Sequence, residues 1–323
     1  MTILAPPPAS PPSKARSAWE KSVEWGIVQL TAIAALFILI LLLAIAGMIT
    51  YAALPAIRTY GLAFFTATTW NAVEGRELYG ALALIWGTVI SSVLALFIAV
   101  PLGVGTAIFL SEDLLPSQIR SVLGILVELL AAIPSVVYGL WGIVVLVPLL
   151  QPLTRWLYQQ WGWVPLFSTP PLGLGLLPAV LVLAIMVLPI ITAIARDSLM
   201  ALPIDLRFAA MALGATRWDA IARVFLPAAS PGIAGGIMLA LGRALGETMA
   251  VTMLIGNVNQ ISPSLLAPAS TIASLLANQF AAAKGMQISA LMYAALALLG
   301  ITLLVNALAE GIVYRVIRPF QSH

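Results

Sequence analysis

AASPGIAGGIMLALGRALGETMAVTMLIG, residues 228 to 256, carries one cation and one anion, Arg243 and Glu247, in an otherwise uncharged apolar run. A helix needs about 20 such residues to cross the hydrocarbon of a bilayer, so this run is long enough to span one. Working outward, Gly26 to Ile57 holds no charge, and apolar runs recur at about 80 to 110, 121 to 150, 174 to 195 and 288 to 314. Six spans predict an all-α, polytopic membrane protein. The composition agrees: 62% of the residues are hydrophobic and 8% charged, against about 25% charged in ordinary soluble domains. The lipid bilayer, not water, must therefore cover most of the surface.

Pro6, Pro7, Pro8, Pro11 and Pro12 keep the first 25 residues from forming a helix, and with Lys14, Arg16 and Lys21 they read as a disordered cytoplasmic tail. Ala44-Ile45-Ala46 resembles a signal-peptidase site, but the apolar stretch before it is longer than a signal peptide uses. Residues 26 to 57 are accordingly read as an uncleaved first helix, 58 to 79 as an outer loop, 80 to 318 as a core of five further helices, and 319 to 323 as a short cytoplasmic tail. With both ends on one side, that side carries ten Lys/Arg, including Arg120 and the four from Arg196 to Arg223. The other carries Arg58, Arg76, Arg155 and Lys284. The positive-inside rule then places both termini in the cytoplasm.

The net charge of +3 and a pI near 9.4 do not point to nucleic acid, because the cations lie in short segments between apolar runs. Trp156, Trp161 and Trp163 in the outer loops suit the lipid interface, and no loop is large enough for a catalytic domain. There is no cysteine and the single histidine is His323, which removes thiolate metal sites and ordinary histidine chemistry. No lysine follows a glycine, so the GxxxxGK[ST] phosphate loop is missing, and Gly173-Leu174-Gly175 reads as a loop or cap. No cofactor, metal or enzymatic activity is expected of this chain.

Arg243 and Glu247 stand four residues apart, on one face of a continuous helix, where they can pair. An unpaired Arg at the bilayer centre costs about 3 kcal/mol on insertion scales, so such a residue faces a bundle interior or an aqueous path. Two readings stay open. The pair fixes helix register, or Arg243 offers its fork of donors to an oxyanion in transit while Glu247, with Thr248 beside it, neutralises the empty path. Glu128, at the cytoplasmic end of the third span, reads first as a structural partner or cap. Pro134 is expected to kink that span and free carbonyls near Ser135 to line a cavity. Gly232 with Gly236, and Gly242 with Gly246, have the spacing that lets a neighbouring helix approach closely.

Residues 196 to 227 hold four arginines with Asp197, Asp205 and Asp219. Pro203 suits a helix start, Asp205 the positive end of its dipole and Gly214 its left-handed end, which predicts a helix of about three turns. Ile204, Phe208 and Met211 form an apolar stripe on it, and Thr216 with Asp219 resembles a capping box for the next helix. By pattern alone the short helix lies on the membrane or docks into a partner.

Phe208-Ala209-Ala210-Met211-Ala212-Leu213-Gly214, nine residues, then Val224-Phe225-Leu226-Pro227 resembles the EAA loop of ABC-importer permeases, with Phe208 where the family often has Glu. Tyr79-Gly80-Ala81-Leu82, Glu128 to Gly142 (ELLAAIPSVVYGLWG) and Gly235 to Val251 (GGIMLALGRALGETMAV) resemble the PstC-type permeases of phosphate-specific ABC importers. The resemblance implies a bacterial inner-membrane permease that moves inorganic phosphate by alternating access. It implies as partners a homologous second permease of PstA type, a cytoplasmic ABC ATPase dimer that binds the ATP, and an extracytoplasmic phosphate-binding protein. It also implies that Asp205, Arg207, Phe208, Ala209, Ala210, Met211, Gly214, Leu226 and Pro227 couple to the ATPase, and that Arg243 and Glu247 matter for transport. Rival readings are a permease for sulfate, molybdate or another oxyanion, a transporter driven by ion gradients, and a membrane scaffold or sensor.

Overall fold

The structure is a computed structural model that describes residues 18–73, 75–112 and 116–321. The first 17 residues of the expected tail, and the last two of the chain, lie outside the described residues. Among those described, six helices are long and apolar enough to cross a membrane: Ser22–Phe65, Leu82–Ser111, Ser135–Trp161, Leu176–Met200, Arg217–Gly246 and Met286–Gly311.

The chain divides into two units, Met1–Tyr51 and Ala52–His323. In the first, helix α1 (Ala18–Tyr60) starts eight residues before the expected span. Its apolar side chains from Val23 to Leu43 are exposed all round, as in a helix bathed in lipid. Thr31 and Thr50 donate their hydroxyls back to the carbonyls of Ile27 and Ala46, at 3.0 and 2.7 Å, which hides their polarity.

In the second unit the expected outer loop has structure of its own. α1 continues to Tyr60, a 3₁₀ turn follows at Gly61–Phe65, and β1 (Trp70–Asn71) pairs antiparallel with β2 (Leu78–Tyr79). Phe64 stacks on Tyr293 with ring centroids 4.3 Å apart, and Trp70 meets Tyr79 edge-on at 4.9 Å. Burial, with the Glu77 carboxylate adding to it, pushes the Tyr79 phenol up to about 12.

Helix α2 (Leu82–Ser111) matches its predicted run. The third predicted run does not form one helix. α3 (Ser117–Ala132) stops at Ile133, whose ψ of 127° is extended, and a new rod starts after Pro134. Proline disfavours the helical conformation of the residue before it, so Pro134 breaks the chain where a kink was expected. The third span is therefore α4 (Ser135–Trp141), a π turn at Gly142–Leu146, and α5 (Val147–Trp161). It also takes in Arg155, Trp156 and Trp161, which the sequence suggested for a loop.

Helix α6 (Leu176–Met200) is the most buried span and lies between α2 and α9. After it come α7 (Ile204–Ala212), then α8 (Arg217–Ala220), a second π turn at Ile221–Phe225, and α9 (Leu226–Gly246). Both π turns are followed at the second residue by proline, Pro148 and Pro227. Proline has no N–H to give and its ring crowds the preceding turn, and a widened turn relieves both. Thus the Leu226-Pro227 motif has a visible backbone consequence. α10 (Met249–Leu254), α11 (Ile272–Gln279) and α12 (Met286–Gln321) complete the unit. α12 runs through most of the expected C-terminal tail.

Small residues set the close contacts. A methyl on Gly236 would stand 3.0 Å from Ile194 Cβ, and one on Gly232 would overlap Ser198, so this glycine pair is the α6–α9 seam. The Gly242 and Gly246 pair meets no neighbour so closely. At the other end, α11 is capped by reciprocal hydrogen bonds between Thr271 and Ser274, and its Ile272 N–H donates to Thr88 Oγ1 at 3.0 Å. A methyl on Gly87 would overlap the Ser270 carbonyl oxygen, a backbone atom that cannot swing aside. Gly87→Ala is expected to cost about 1–3 kcal/mol, read as a lowered Tm of the purified protein. An unchanged Tm would contradict this close approach.

Candidate functional site

The helix carrying Arg243 does not continue to Glu247. α9 ends at Gly246, Glu247 has an extended ψ of 124°, and α10 begins at Met249. Local chemistry stabilises the break. The Thr248 hydroxyl donates to the Gly246 carbonyl at 3.1 Å, and the Ala250 N–H, freed at the start of α10, donates to Glu247 Oε1 at 3.4 Å. The expected pair is therefore not formed: Arg243 and Glu247 share no salt bridge, and Glu247 is buried while Arg243 is exposed. The continuous-helix geometry behind that pairing is corrected by the Gly246–Thr248 break.

Arg243 instead lines an open cavity of about 760 Å³ with Ile190, Gly235, Met238, Leu239, Gly242 and Asn306. Ile190 stands near the midpoint of α6, so this guanidinium opens onto the middle of the bundle rather than its end. Apart from Arg243 and Asn306 the lining is apolar. An Arg at such a depth must meet water, an anion or another protein surface, because hydrocarbon would leave its five donors unmet.

The other predicted pathway residues lie outside this cavity. Glu128 is on α3, mostly exposed, with Oε1 3.9 Å from Arg196 Nη1 on α6; this is the structural-partner reading. Ser135 is the first residue of α4 and Thr248 stitches the α9–α10 break. Tyr138 in α4 donates its hydroxyl to the Leu130 carbonyl at 2.8 Å, which ties the two sides of the Pro134 break together. Asn306 was missed by the sequence reading, although a strongly polar side chain in the apolar run of α12 is a signal of its own.

The second site is α7, at the basic end of the bundle. Pro203 precedes it, Asp205 lies in its first turn, and Gly214 follows with φ +81°, each as the sequence predicts. Its inward face holds Ala210, buried, and Arg207. The Arg207 guanidinium reaches both oxygens of Glu112 at 2.7 and 2.8 Å, and stands 4.9 Å from the ring centroid of Phe225. Glu112, just beyond α2, is buried and was not singled out in the sequence. One ion pair thus links α7 to the end of α2, with a single guanidinium nitrogen, Nη1, donating to both carboxylate oxygens.

The outward face carries Ile204, Phe208 and Met211, the predicted stripe, all exposed, with Phe208 65% accessible. Ala209 is exposed beside them, and Leu213 and Trp218 extend the apolar surface. Thr216 accepts from the Asp219 N–H and donates to its carboxylate, the predicted cap of α8. Phe208→Asp is expected to weaken capture of a docked partner by about tenfold or more, since about 1.5–3 kcal/mol accompanies burial of a Phe. Co-purification at graded detergent and salt reads this, and undiminished capture would place the partner elsewhere.

A family model, "Binding-protein-dependent transport system inner membrane component", matches residues 99–319. The chain is 46% identical over 292 residues to "Phosphate transport system permease protein PstC" of Mesorhizobium japonicum, covering 88% of each chain. It is 44% identical over 293 residues to the protein of that name from Pasteurella multocida, covering 89% of this chain and 91% of the relative. Among solved structures it resembles a chain of a bacterial alginate ABC transporter in complex with an alginate pentasaccharide-bound periplasmic protein. The TM-score is 0.62 at 16% identity, over 94% of this chain and 99% of that one. A chain of the inward-facing MetNI methionine ABC transporter aligns with TM-score 0.55 at 17% identity, over 73% and 95%. These two share the fold, that of type I ABC importer permeases. With six spans, a short helix presenting an apolar stripe, and these relatives, the chain belongs to the family of binding-protein-dependent transport system inner membrane components, in its PstC branch.

Proposed function

We propose that this chain is the permease subunit through which an ATP-driven importer passes inorganic phosphate. The observation that carries the reading is Arg243, the one cation lining an otherwise largely apolar cavity level with the middle of α6. A guanidinium fork matches two oxygens of a tetrahedral oxyanion, and in a site of low dielectric each charge-assisted hydrogen bond is strengthened. The names of the close relatives point to phosphate among the oxyanions.

The open side of that cavity fits a homologous second permease of PstA type, which would close the path around the anion. The Ile204, Phe208 and Met211 stripe fits a groove on a cytoplasmic ABC ATPase dimer, where ATP is bound and hydrolysed; this chain itself is not the enzyme. The hairpin end then faces an extracytoplasmic phosphate-binding protein. Both termini lie in the cytoplasm, by the ten-to-four excess of Lys/Arg, in a bacterial inner membrane. Closure of the ATPase dimer pulls on α7, the Arg207–Glu112 pair passes the motion to α2, and the bundle alternates between outward and inward access. ATP drives this only because it binds better to one of the two states. Glu247, buried one helix break from Arg243, stabilises the start of α10 and so the position of the path wall.

The test is uptake of radiolabelled phosphate by vesicles holding this chain with its partner subunits, with native or hydrolysis-dead ATPase. Loss of uptake with the dead ATPase is the expected result. Uptake indifferent to it would favour a transporter driven by an ion gradient.

A further inference from the structure

We infer that Asn306 is a second anion-binding residue, which with Arg243 makes the cavity a site for a protonated oxyanion. Three observations lead there. Asn306 and Arg243 are the only hydrogen-bonding side chains among the residues lining the cavity, one from α12 and one from α9. The Asn306 Oδ1 is buried and has no hydrogen-bond partner among the described residues. A methyl on Gly242, the residue beside Arg243, would stand 3.9 Å from Asn306 Nδ2, so the amide lies against the backbone that presents the guanidinium.

An unpaired amide oxygen in an apolar span is costly, and leucine of similar size would remove the cost. A transported ligand would satisfy it. Arg243 has five donors and no acceptor, so it can bind the oxygens of an anion but cannot accept from an O–H. An amide has both a donor and an acceptor, and half a turn about its last torsion exchanges them. Hydrogen phosphate at neutral pH keeps at least one O–H alongside its ionised oxygens, and sulfate keeps none. In the pair, Arg243 takes the ionised oxygens and the Asn306 oxygen accepts the O–H; sulfate would leave that acceptor unmet. The site needs no metal and involves no covalent step.

This inference rests on the phosphate-import reading. The experiment measures radiolabelled phosphate delivered per ADP released, by reconstituted native, Asn306→Leu and Asn306→Ser complexes, with saturating binding protein and with thermal midpoints in parallel. Asn306→Leu is expected to lower the ratio about tenfold, the factor that one hydrogen bond to a charged group carries. Its thermal midpoint should be unchanged or raised, and Asn306→Ser should keep more of the native ratio. An unchanged ratio in Asn306→Leu would overturn the inference alone. A lowered ratio with a lowered midpoint, unrelieved by serine, would assign Asn306 to packing and also overturn it. Absence of ATP-dependent uptake by the native complex would overturn the phosphate reading and this inference with it.

Discussion

Arg243→Ala is expected to reduce phosphate uptake about 100-fold or more while the complex still assembles. Two charge-assisted hydrogen bonds at about 1.5–3 kcal/mol each are lost from the transported anion, and each 1.4 kcal/mol is about tenfold. Assembly should survive because Arg243 forms no salt bridge among the described residues and stands exposed on the cavity wall. Arg243→Lys, which keeps the charge and loses the planar fork, should fall between the two. Uptake per co-purified complex measures this. Native uptake by an assembled Arg243→Ala complex would remove the residue from the path.

The second large effect is expected at the Arg207–Glu112 pair. Arg207→Met would strand the buried Glu112 carboxylate, and breaking one partner of a buried pair costs about 3–5 kcal/mol. That is enough to loosen α7 from α2, since Arg207 Nη1 donates to both Glu112 oxygens, at 2.7 and 2.8 Å. ATP hydrolysis should then continue without phosphate uptake. Replacing both residues, Arg207→Met with Glu112→Met, restores an uncharged contact and should recover part of the coupling. A double variant no better than the single one would show that the charges, rather than the contact, transmit the motion.

The spans were legible because hydrophobic length is a property of the sequence itself. Residues 174 to 195 could be assigned from composition and proved to be α6, Leu176–Met200. α7 was legible for a different reason: Pro203, Asp205 and Gly214 each act on the backbone within a few residues of themselves. The third span was misplaced because Pro134 has two local outcomes, a kink or a break, and residues on both sides of it are apolar. α3 packs against α6 through Gly124, whose added methyl would come within 3.3 Å of Arg196 Nη1, a contact across the fold that no local spacing reports.

The site was half legible. Arg243 stood out as a charge in an apolar run, and it lines the cavity. Its partner was misread because pairing at i and i+4 assumes a continuous helix, and Gly246-Glu247-Thr248 supplies the side chains that end one. Asn306 and Glu112 were not seen because they meet their neighbours across the fold, from α12 to α9 and from the end of α2 to α7. No local spacing reports such a meeting. The capping pair Thr271 and Ser274 was local and could have revealed α11, which lies outside the apolar runs.

The central claim is that ATP drives inorganic phosphate, rather than oxyanions in general, through this chain. The most direct measurement is uptake of radiolabelled phosphate by vesicles containing this chain and its partners, with ATP inside, in the presence of excess sulfate and molybdate. The account predicts uptake that requires ATP and is undiminished by either competitor. Uptake suppressed by sulfate or molybdate would contradict it.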